Sequence, residues 1–249
     1  MKDGSIKVLR RTLLGTSSIG LIFAVWILYA NQVDNIYILP GPLEVLRSVF
    51  DLLTSGETYI IIGISLFRLV IAFLLSSIMG VTLGLLAGNY MVVDEFLNPI
   101  VATLRTLPIA SIIIIIIILF GSVSSLYFIT FLMIFPIIYE ASKNGVLNIP
   151  QSLKDHIAIE QHPKWVLMTS IQLPIAFPYI KTAMFQSIGL GFKVIVMAEF
   201  ISQARMGIGR ELHDGSISIN YVNVFAWTLI MILIVGLFET LLRIYKAYD

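Results

Sequence analysis

The strongest constraint on the fold is a series of long apolar stretches that recurs along the whole chain. A helix needs about 20 apolar residues to cross the roughly 30 Å hydrocarbon core of a membrane. Six stretches reach or nearly reach that length: Leu13–Ala30, Ile60–Ala87, Ile100–Phe120, Ser125–Tyr139, Pro178–Ile201 and Val222–Leu242. The sequence therefore predicts an all-α polytopic membrane protein with six transmembrane helices.

The composition argues against the common soluble classes. Hydrophobic residues make up 58% of the 249-residue chain and charged residues only 12%, whereas soluble domains carry about 25% charged residues. The net charge of +1 provides no basic field for nucleic acid. The chain has no cysteine, so disulfides and thiol catalysis are excluded. Its three histidines form no HxxxH or HxH pair, and no metal site is predicted.

Lysine and arginine are distributed unevenly among the segments that connect the stretches. With the N-terminus in the cytoplasm, nine fall inside: Lys2, Lys7, Arg10, Arg11, Lys143, Lys154, Lys164, Arg243 and Lys246. Three fall outside (Arg47, Arg205 and Arg210), and four lie within or at the ends of the stretches. Because the side richer in Lys and Arg stays in the cytoplasm, both termini are predicted to be cytoplasmic.

The chain is predicted to have two parts, and the second contains a distinctive cytoplasmic region. We predict an N-terminal anchor helix with an extracytoplasmic segment over residues 1–59, and a core of five membrane helices over 60–249. Within that core, the cytoplasmic region 143–174 is too long for a simple turn between helices. It mixes apolar and charged residues. Two interpretations follow: an amphipathic interfacial helix that shields the bundle, or a helix that docks into a groove of a partner protein.

Four segments carry a family resemblance, in order along the chain. Ile38–Leu46 resembles an LPSPxEV segment, and Leu97–Pro108 resembles LxPxxxxLRxxP. Leu173–Ile180 resembles LPxAxPYI, and Ala198–Gly209 resembles AEF followed by GLG. The chain is thus similar to the permease subunits of bacterial binding-protein-dependent ABC importers of type I, a group that includes sulfonate, taurine, nitrate and thiamine-precursor permeases. This resemblance implies the MetI-like fold with a cytoplasmic coupling helix.

The resemblance also implies which residues contact the ATPase. The family's EAA…G motif ends in Leu-Pro, and counting back from Pro174 places Asp155 at the Glu position and Gln161 at the Gly position. Only Asp155 is similar to the motif residue. Coupling is thereby assigned to Leu153, Asp155, Ile157, Ala158, Gln161, Lys164 and Trp165. Asp155 and Lys164 are expected at the rim of the contact.

The implied importer contains two permease subunits, two ATPases and an extracytoplasmic binding protein in a bacterial cell membrane. The chain has no G-x-x-x-x-G-K-[ST] sequence, so the phosphates of ATP must be bound by another polypeptide. We therefore expect no cofactor in this chain, ATP and Mg²⁺ on the partner ATPase, and a second copy of the permease as the other membrane subunit. The expected function is the import of a small polar or anionic solute by alternating access.

Charges and glycines within the stretches provide the other candidate residues. Lys193 and Glu199 are predicted to lie along the translocation pathway, with an intramembrane ion pair or a packing contact as the alternative for Lys193. Arg68 is expected to face protein, water or the membrane interface. Gly80, Gly84 and Gly88 recur at every fourth residue, a spacing that favours close helix packing.

Three other functions were weighed against the importer. A secondary transporter driven by an ion gradient would need carboxylates or histidines near the midplane, and few are present. An intramembrane enzyme would need a site such as HExxH or GxSxG, and neither occurs. A membrane scaffold without transport activity remains compatible with the sequence.

Overall fold

The computed structural model describes residues 2–150, 152 and 163–248, and all regular structure within them is helical. The helices are α1 (Lys2–Val33), α2 (Pro42–Thr54), α3 (Gly56–Asn89), α4 (Met91–Thr106), α5 (Ile109–Leu147), α6 (Lys164–Leu167), α7 (Leu173–Ser202), α8 (Ile208–Ile217) and α9 (Tyr221–Tyr248). A five-residue π-helical turn, Met168–Gln172, joins α6 to α7. The predicted all-α class is confirmed.

Several helices have the length and apolar character of membrane spans. Among the described residues there are five such stretches: Leu13–Val33, Gly56–Asn89, Ile109–Leu147, Trp165–Ser202 and Tyr221–Leu242. Each is long enough to cross the hydrocarbon core. The chain is therefore a multi-pass membrane protein, as its composition predicted.

The predicted third stretch, Ile100–Phe120, is not one uninterrupted helix. Helix α4 ends at Thr106, and Leu107 adopts extended angles (φ −68°, ψ 136°) before α5 begins at Ile109. The physical reason is Pro108, whose ring disfavours helical angles at the preceding residue. The expectation is corrected to two helices that meet at this proline.

Helix α5 consists of two segments, 109–120 and 122–147, that meet at Gly121. Gly121 has φ 75° and ψ 170°, angles outside the helical region that glycine adopts readily. The rings of Phe120 and Phe128 stack with centroids 4.7 Å apart, although eight residues of continuous helix would separate them by about 12 Å. Val101 of α4 shares a buried apolar cluster with Phe135 and Tyr139. These contacts bring the residues after Gly121 back to the residues before it, so the chain folds back at Gly121.

The described chain separates into two compact units. The first contains the residues up to Tyr59 together with Glu211–Leu233. Within it, Trp26 of α1 stacks on Phe225 of α9 with ring centroids 5.7 Å apart. The indole nitrogen of Trp26 donates a hydrogen bond to the carbonyl oxygen of Pro40 at 3.0 Å, which fixes the chain between α1 and α2.

The second unit contains Ile60–Arg210 together with the chain from Ile234 onward. Its core is formed by α3, the 122–147 segment of α5, and α7. Helix α3 contributes the buried Leu69 and Leu85, and the largest fully buried apolar side chains of the other two elements are Tyr139, Phe192, Leu126, Ile129, Ile134, Ile138, Ile180 and Ile195. This unit carries the candidate functional residues.

Candidate functional site

Most of the residues expected to contact an ATPase lie outside the described part of the chain. These are Leu153, Asp155, Ile157, Ala158 and Gln161. Lys164 begins α6, and Trp165, the next residue, is 69% exposed. An exposed tryptophan immediately after this segment offers a large apolar surface to a partner.

The chain on both sides of residues 151–162 enters one buried apolar cluster. The cluster contains Val146 and Ile149 at the end of α5, Ala176 and Ile180 at the start of α7, and Leu85 of α3. Gly145 permits the close approach, because a Cβ atom added there would lie only 2.6 Å from the Cβ atom of Ala176. The two flanks of the segment are therefore fixed to each other and to α3.

A pair of amides adds a polar connection beside this cluster. Asn89 Nδ2 donates to Gln172 Oε1 at 2.6 Å, and Gln172 Nε2 donates back to Asn89 Oδ1 at 2.7 Å. Asn89 ends α3, and Gln172 ends the π-helical turn that leads into α7. The reciprocal bonds hold the start of α7 against the end of α3.

The three predicted packing glycines lie directly against the 122–147 segment of α5. A Cβ atom at Gly80 would lie 2.9 Å from Ile138, and one at Gly84 would lie 2.5 Å from the carbonyl oxygen of Tyr139. A Cβ atom at Gly88 would lie 2.7 Å from the Cβ atom of Val146. Contacts this short leave no room for a side chain. The glycines thus set the distance between α3 and α5.

A second polar contact joins α4 to α5. Lys143 Nζ lies 2.8 Å from Asp94 Oδ1, and Tyr139 donates a longer hydrogen bond to the same oxygen at 3.3 Å. Arg105 and Glu140 form a looser pair at 3.9 Å nearby. Lys143 is almost fully buried, so its charge needs the Asp94 carboxylate for neutralisation.

Glu199 occupies the centre of a buried network at the other end of α7. Its side chain is fully buried, and Arg68 Nη1 of α3 donates to its Oε1 at 2.6 Å. The hydroxyl of Ser65 lies 3.0 Å and 2.9 Å from the two carboxylate oxygens and donates to the carboxylate. The backbone N–H of Gly209 donates to Oε2 at 3.0 Å. Every polar atom of this carboxylate therefore has a partner, as burial requires.

The same network fixes the loop that follows α7. Arg68 Nη1 also donates to the carbonyl oxygen of Met206 at 2.6 Å, and Ser65 Oγ accepts the backbone N–H of Ile208 at 3.0 Å. Gly207 has φ 136°, and a Cβ atom there would lie 2.5 Å from the Glu199 carboxylate. Only glycine satisfies both the backbone angle and the space. The loop is consequently held to α3 as well as to α7.

Lys193 has different surroundings from Glu199, although both were predicted for the translocation pathway. Lys193 is exposed on α7, and no described residue forms an ion pair with it. Glu199 faces α3 and has no exposed surface in this chain. The two residues therefore lie on different faces of the same helix.

Metal ligands do not cluster in the described residues. No group of three or more His, Asp or Glu side chains is positioned there to hold an ion. Two buried or half-buried carboxylates instead face cations of the chain itself: Glu199 faces Arg68, and Asp94 faces Lys143.

Sequence reasoning did not identify the Arg68–Glu199 pair or the role of Ser65. A signal was available, because the apolar helix α3 carries a positive charge at Arg68 and the apolar helix α7 carries a negative charge at Glu199. Buried charges in membrane helices pair with one another. The residues are 131 positions apart, so the pairing itself required the tertiary structure. Asp94 was missed for the same reason.

Comparison with protein families gives one match that covers most of the chain. Residues 80–248 match the family described as "Binding-protein-dependent transport system inner membrane component". The matched region begins at the first of the three packing glycines and includes α4, α5, α7 and the buried Glu199.

Similar proteins come from several bacteria. A protein of Bacillus subtilis (strain 168), named as a permease for aliphatic sulfonates transport, is 26% identical over 90% of this chain and 82% of its own length. A nitrate import permease of Synechocystis sp. (strain ATCC 27184 / PCC 6803 / Kazusa) is 30% identical over 88% of this chain and 82% of its own length. A bicarbonate transport system permease of Synechococcus elongatus is 29% identical over 70% of this chain and 62% of its own length.

Proposed function

The chain belongs to the family of binding-protein-dependent transport system inner membrane components, the permease subunits of ABC importers, and from this premise we propose that two copies of it form the membrane pathway for a small oxyanion. Family membership favours this function over the ion-coupled transporter and the scaffold. Permease components are not enzymes, so ATP hydrolysis is assigned to a separate ATPase that binds ATP and Mg²⁺.

Two observations support an oxyanion as the solute. The similar proteins named above carry the names of sulfonate, nitrate and bicarbonate transporters, and all three solutes are small anions. In this chain, Lys193 is exposed on a membrane-spanning helix with no carboxylate partner among the described residues. An unpaired cation at this depth faces water, a solute or a partner chain.

We further propose six membrane crossings with both termini in the cytoplasm. The reversal at Gly121 supports two crossings, because the 109–120 and 122–147 segments of α5 then run in opposite directions. The nine-to-three distribution of Lys and Arg supports the orientation. In this arrangement, Asp94, Lys143 and segment 151–162 lie at the cytoplasmic side, and the Arg68–Glu199 network lies toward the outside, where an extracytoplasmic binding protein would dock.

The single observation that carries the proposed mechanism is the anchoring of both flanks of segment 151–162 in one cluster. Val146 and Ile149 precede the segment, and Ala176 and Ile180 follow it. A displacement of the segment by an ATPase would therefore move the ends of α5 and α7 together with that of α3. Rigid-body motion of such a packed group is the usual way in which a domain alternates between two states.

Capture of the companion ATPase tests this mechanism. The tagged permease and a candidate ABC ATPase from the same genome are co-expressed, and their ratio is measured after purification. Deletion of residues 151–164 is expected to abolish capture. Asp155→Ala with Trp165→Ala is expected to weaken it, since an interface tryptophan contributes about 2 kcal/mol or more.

Phe50→Ala is the matched control for Trp165→Ala. Phe50 of α2 is also 69% exposed, but it precedes the core and is far in sequence from segment 151–162. Its replacement should leave capture unchanged. Undiminished capture by the deletion variant would refute the coupling mechanism, and equal losses in the two aromatic variants would indicate a general loss of folding.

A further inference from the structure

The exposed residues in the middle of α7 all lie on one face of the helix. Between Lys181 and Glu199, the exposed residues are Thr182, Gln186, Lys193 and Met197. At 3.6 residues per turn, these four positions fall within a sector of about 60°. Three of the four are polar, although the remainder of this stretch is mostly apolar.

This polar face is incompatible with contact with lipid. Gln186 lies about 20 Å from the start of α7 at 1.5 Å per residue, which is too deep for its amide to reach a membrane surface. Lys193 is about 14 Å from the end of α7, and a lysine within a span is energetically unfavourable unless it reaches water or a partner. The face must therefore border water or protein in the assembled transporter.

A groove runs along this face beside α5. Its volume is about 440 Å³, and its polar lining consists of Asn144, Tyr179, Thr182 and Gln186. None of its lining residues is acidic. On the other side of Thr182 and Gln186 lies a second groove that contains Glu239. A carboxylate repels anions, so of these two grooves the one beside Asn144 suits an anionic solute better.

We propose that the Asn144 groove and the polar face of α7 form the surface that contacts the solute, with Asn144, Thr182 and Gln186 as specificity-determining residues. Their amides and hydroxyl donate hydrogen bonds to the oxygens of a small anion, and Lys193 supplies the positive charge on the same face. Hydrogen bonds from neutral donors bind an oxyanion without neutralising it, which permits release. The inference rests on the proposed import of an oxyanion.

Thiol labelling in membranes that contain the complete importer tests the proposal. The chain has no cysteine, so Thr182→Cys, Gln186→Cys and Asn144→Cys each introduce its only thiol. Membrane-impermeant methanethiosulfonates react with the thiolate, which forms in water and not in lipid. We expect these variants to react at least about tenfold faster than a lipid-facing thiol. Ile78→Cys is the matched control, because Ile78 is exposed in the middle of α3 and lines neither the Asn144 groove nor the groove that contains Glu239.

The charge of Lys193 is tested with two reagents of opposite charge. In Gln186→Cys, the ratio of the rate with the anionic sulfonatoethyl reagent to the rate with the cationic trimethylammonioethyl reagent measures the local potential. We expect Lys193→Gln to lower this ratio about fivefold, since a unit charge acts over about 10 Å in a poorly screened site. Arg105→Gln, which changes a charge outside the groove, should leave the ratio unchanged.

Each outcome decides the proposal. Labelling of Gln186→Cys no faster than that of Ile78→Cys would mean that lipid or the second copy covers this face, and the proposal would be wrong. An unchanged ratio in Lys193→Gln would remove Lys193 from the surface. Failure of the unmodified chain to capture an ATPase would refute the proposed function instead, and that capture is measured separately from the labelling.

Discussion

Helix α3 meets its neighbours in two physically different ways along its length. Near one end, Ser65 and Arg68 bind the buried carboxylate of Glu199 and the loop 206–209; we call this the charged contact. Near the other end, Gly80, Gly84 and Gly88 lie against the backbone and short side chains of α5; we call this the glycine contact. The first is held by directional bonds between charges, and the second by shape alone.

The difference shows how the two ends can serve different purposes. The charged contact determines one geometry, because each donor must point at a carboxylate oxygen, and it fixes a loop that packing would leave free. The glycine contact brings two helices close together without requiring a particular partner atom. In the proposed importer, the charged contact supports the outer loop, and the glycine contact lies beside the segment that receives motion from the ATPase.

Removal of the buried carboxylate should produce the largest effect. Glu199→Ala leaves the half-buried Arg68 with no neutralising partner, and loss of one member of a buried pair destabilises a protein by about 3–5 kcal/mol. The free energy of unfolding in mixed micelles, measured by denaturant titration, checks this value.

Arg105→Ala is the control, because it removes an ion pair that is long and exposed instead of short and buried. The Arg105–Glu140 pair is long, at 3.9 Å, and Arg105 is largely exposed. Its loss should change the free energy of unfolding by about 1 kcal/mol or less. If the two variants are equally stable, the charged contact has no special role and the comparison between the two ends is wrong.

Substitution within the glycine contact should have an intermediate effect. The added methyl group of Gly84→Ala would overlap the carbonyl oxygen of Tyr139 and the Cβ atom of Ser142. Overpacking of this kind costs about 1–3 kcal/mol. The measurement is again the free energy of unfolding, with ATPase capture as a second readout.

Gly63→Ala, in the same helix, separates packing from backbone effects. No atom lies within 4 Å of a Cβ at Gly63, so the methyl group meets no obstacle, and the higher helix propensity of alanine should stabilise α3 by up to about 1 kcal/mol. If Gly84→Ala lowers the free energy of unfolding and Gly63→Ala raises it, the close contact at Gly84 causes the loss. If both variants raise it, the close contact at Gly84 relaxes at little cost.

The amide pair beside the glycine contact should have the smallest effect. Asn89→Ala removes both hydrogen bonds to Gln172, and neutral hydrogen bonds contribute about 0.5–1.5 kcal/mol each. Because both side chains are partly exposed, water can replace the lost partner. The expected loss in the free energy of unfolding is therefore at the lower limit of this range. A loss of ATPase-driven uptake without a loss of stability would show that the pair transmits motion.

The sequence predicted the membrane helices better than it predicted the short helices and the breaks between them. The existence of the membrane helices follows from hydrophobicity, because a run such as Ile60–Ala87 has no other favourable environment. The short helices α2 and α8 were not predicted, since their length and mixed polarity resemble those of loops. The break at Pro108 was visible as a proline, but its consequence for α4 and α5 depended on packing against Phe135 and Tyr139.

The candidate residues show the same division. The spacing of Gly80, Gly84 and Gly88 indicated a packing face, and the charge of Lys193 indicated a position away from lipid. Neither pattern indicated which residues the glycines or Lys193 would contact. Glu199 was assigned to the same pathway as Lys193 because both are charged residues in the same helix. Their different orientations on α7 emerged only when the helix was placed against α3.

By itself, the sequence determined that this protein resides in a membrane as a set of helices, because hydrophobic length and the need to satisfy backbone hydrogen bonds in lipid allow little else. The resemblance of four segments then indicated the importer family. Only the tertiary structure decided that Glu199 is neutralised by Arg68 and that Lys193 is exposed on another face of the same helix. Arg68 and Glu199 are 131 positions apart, and no local pattern encodes a contact between residues so distant in sequence.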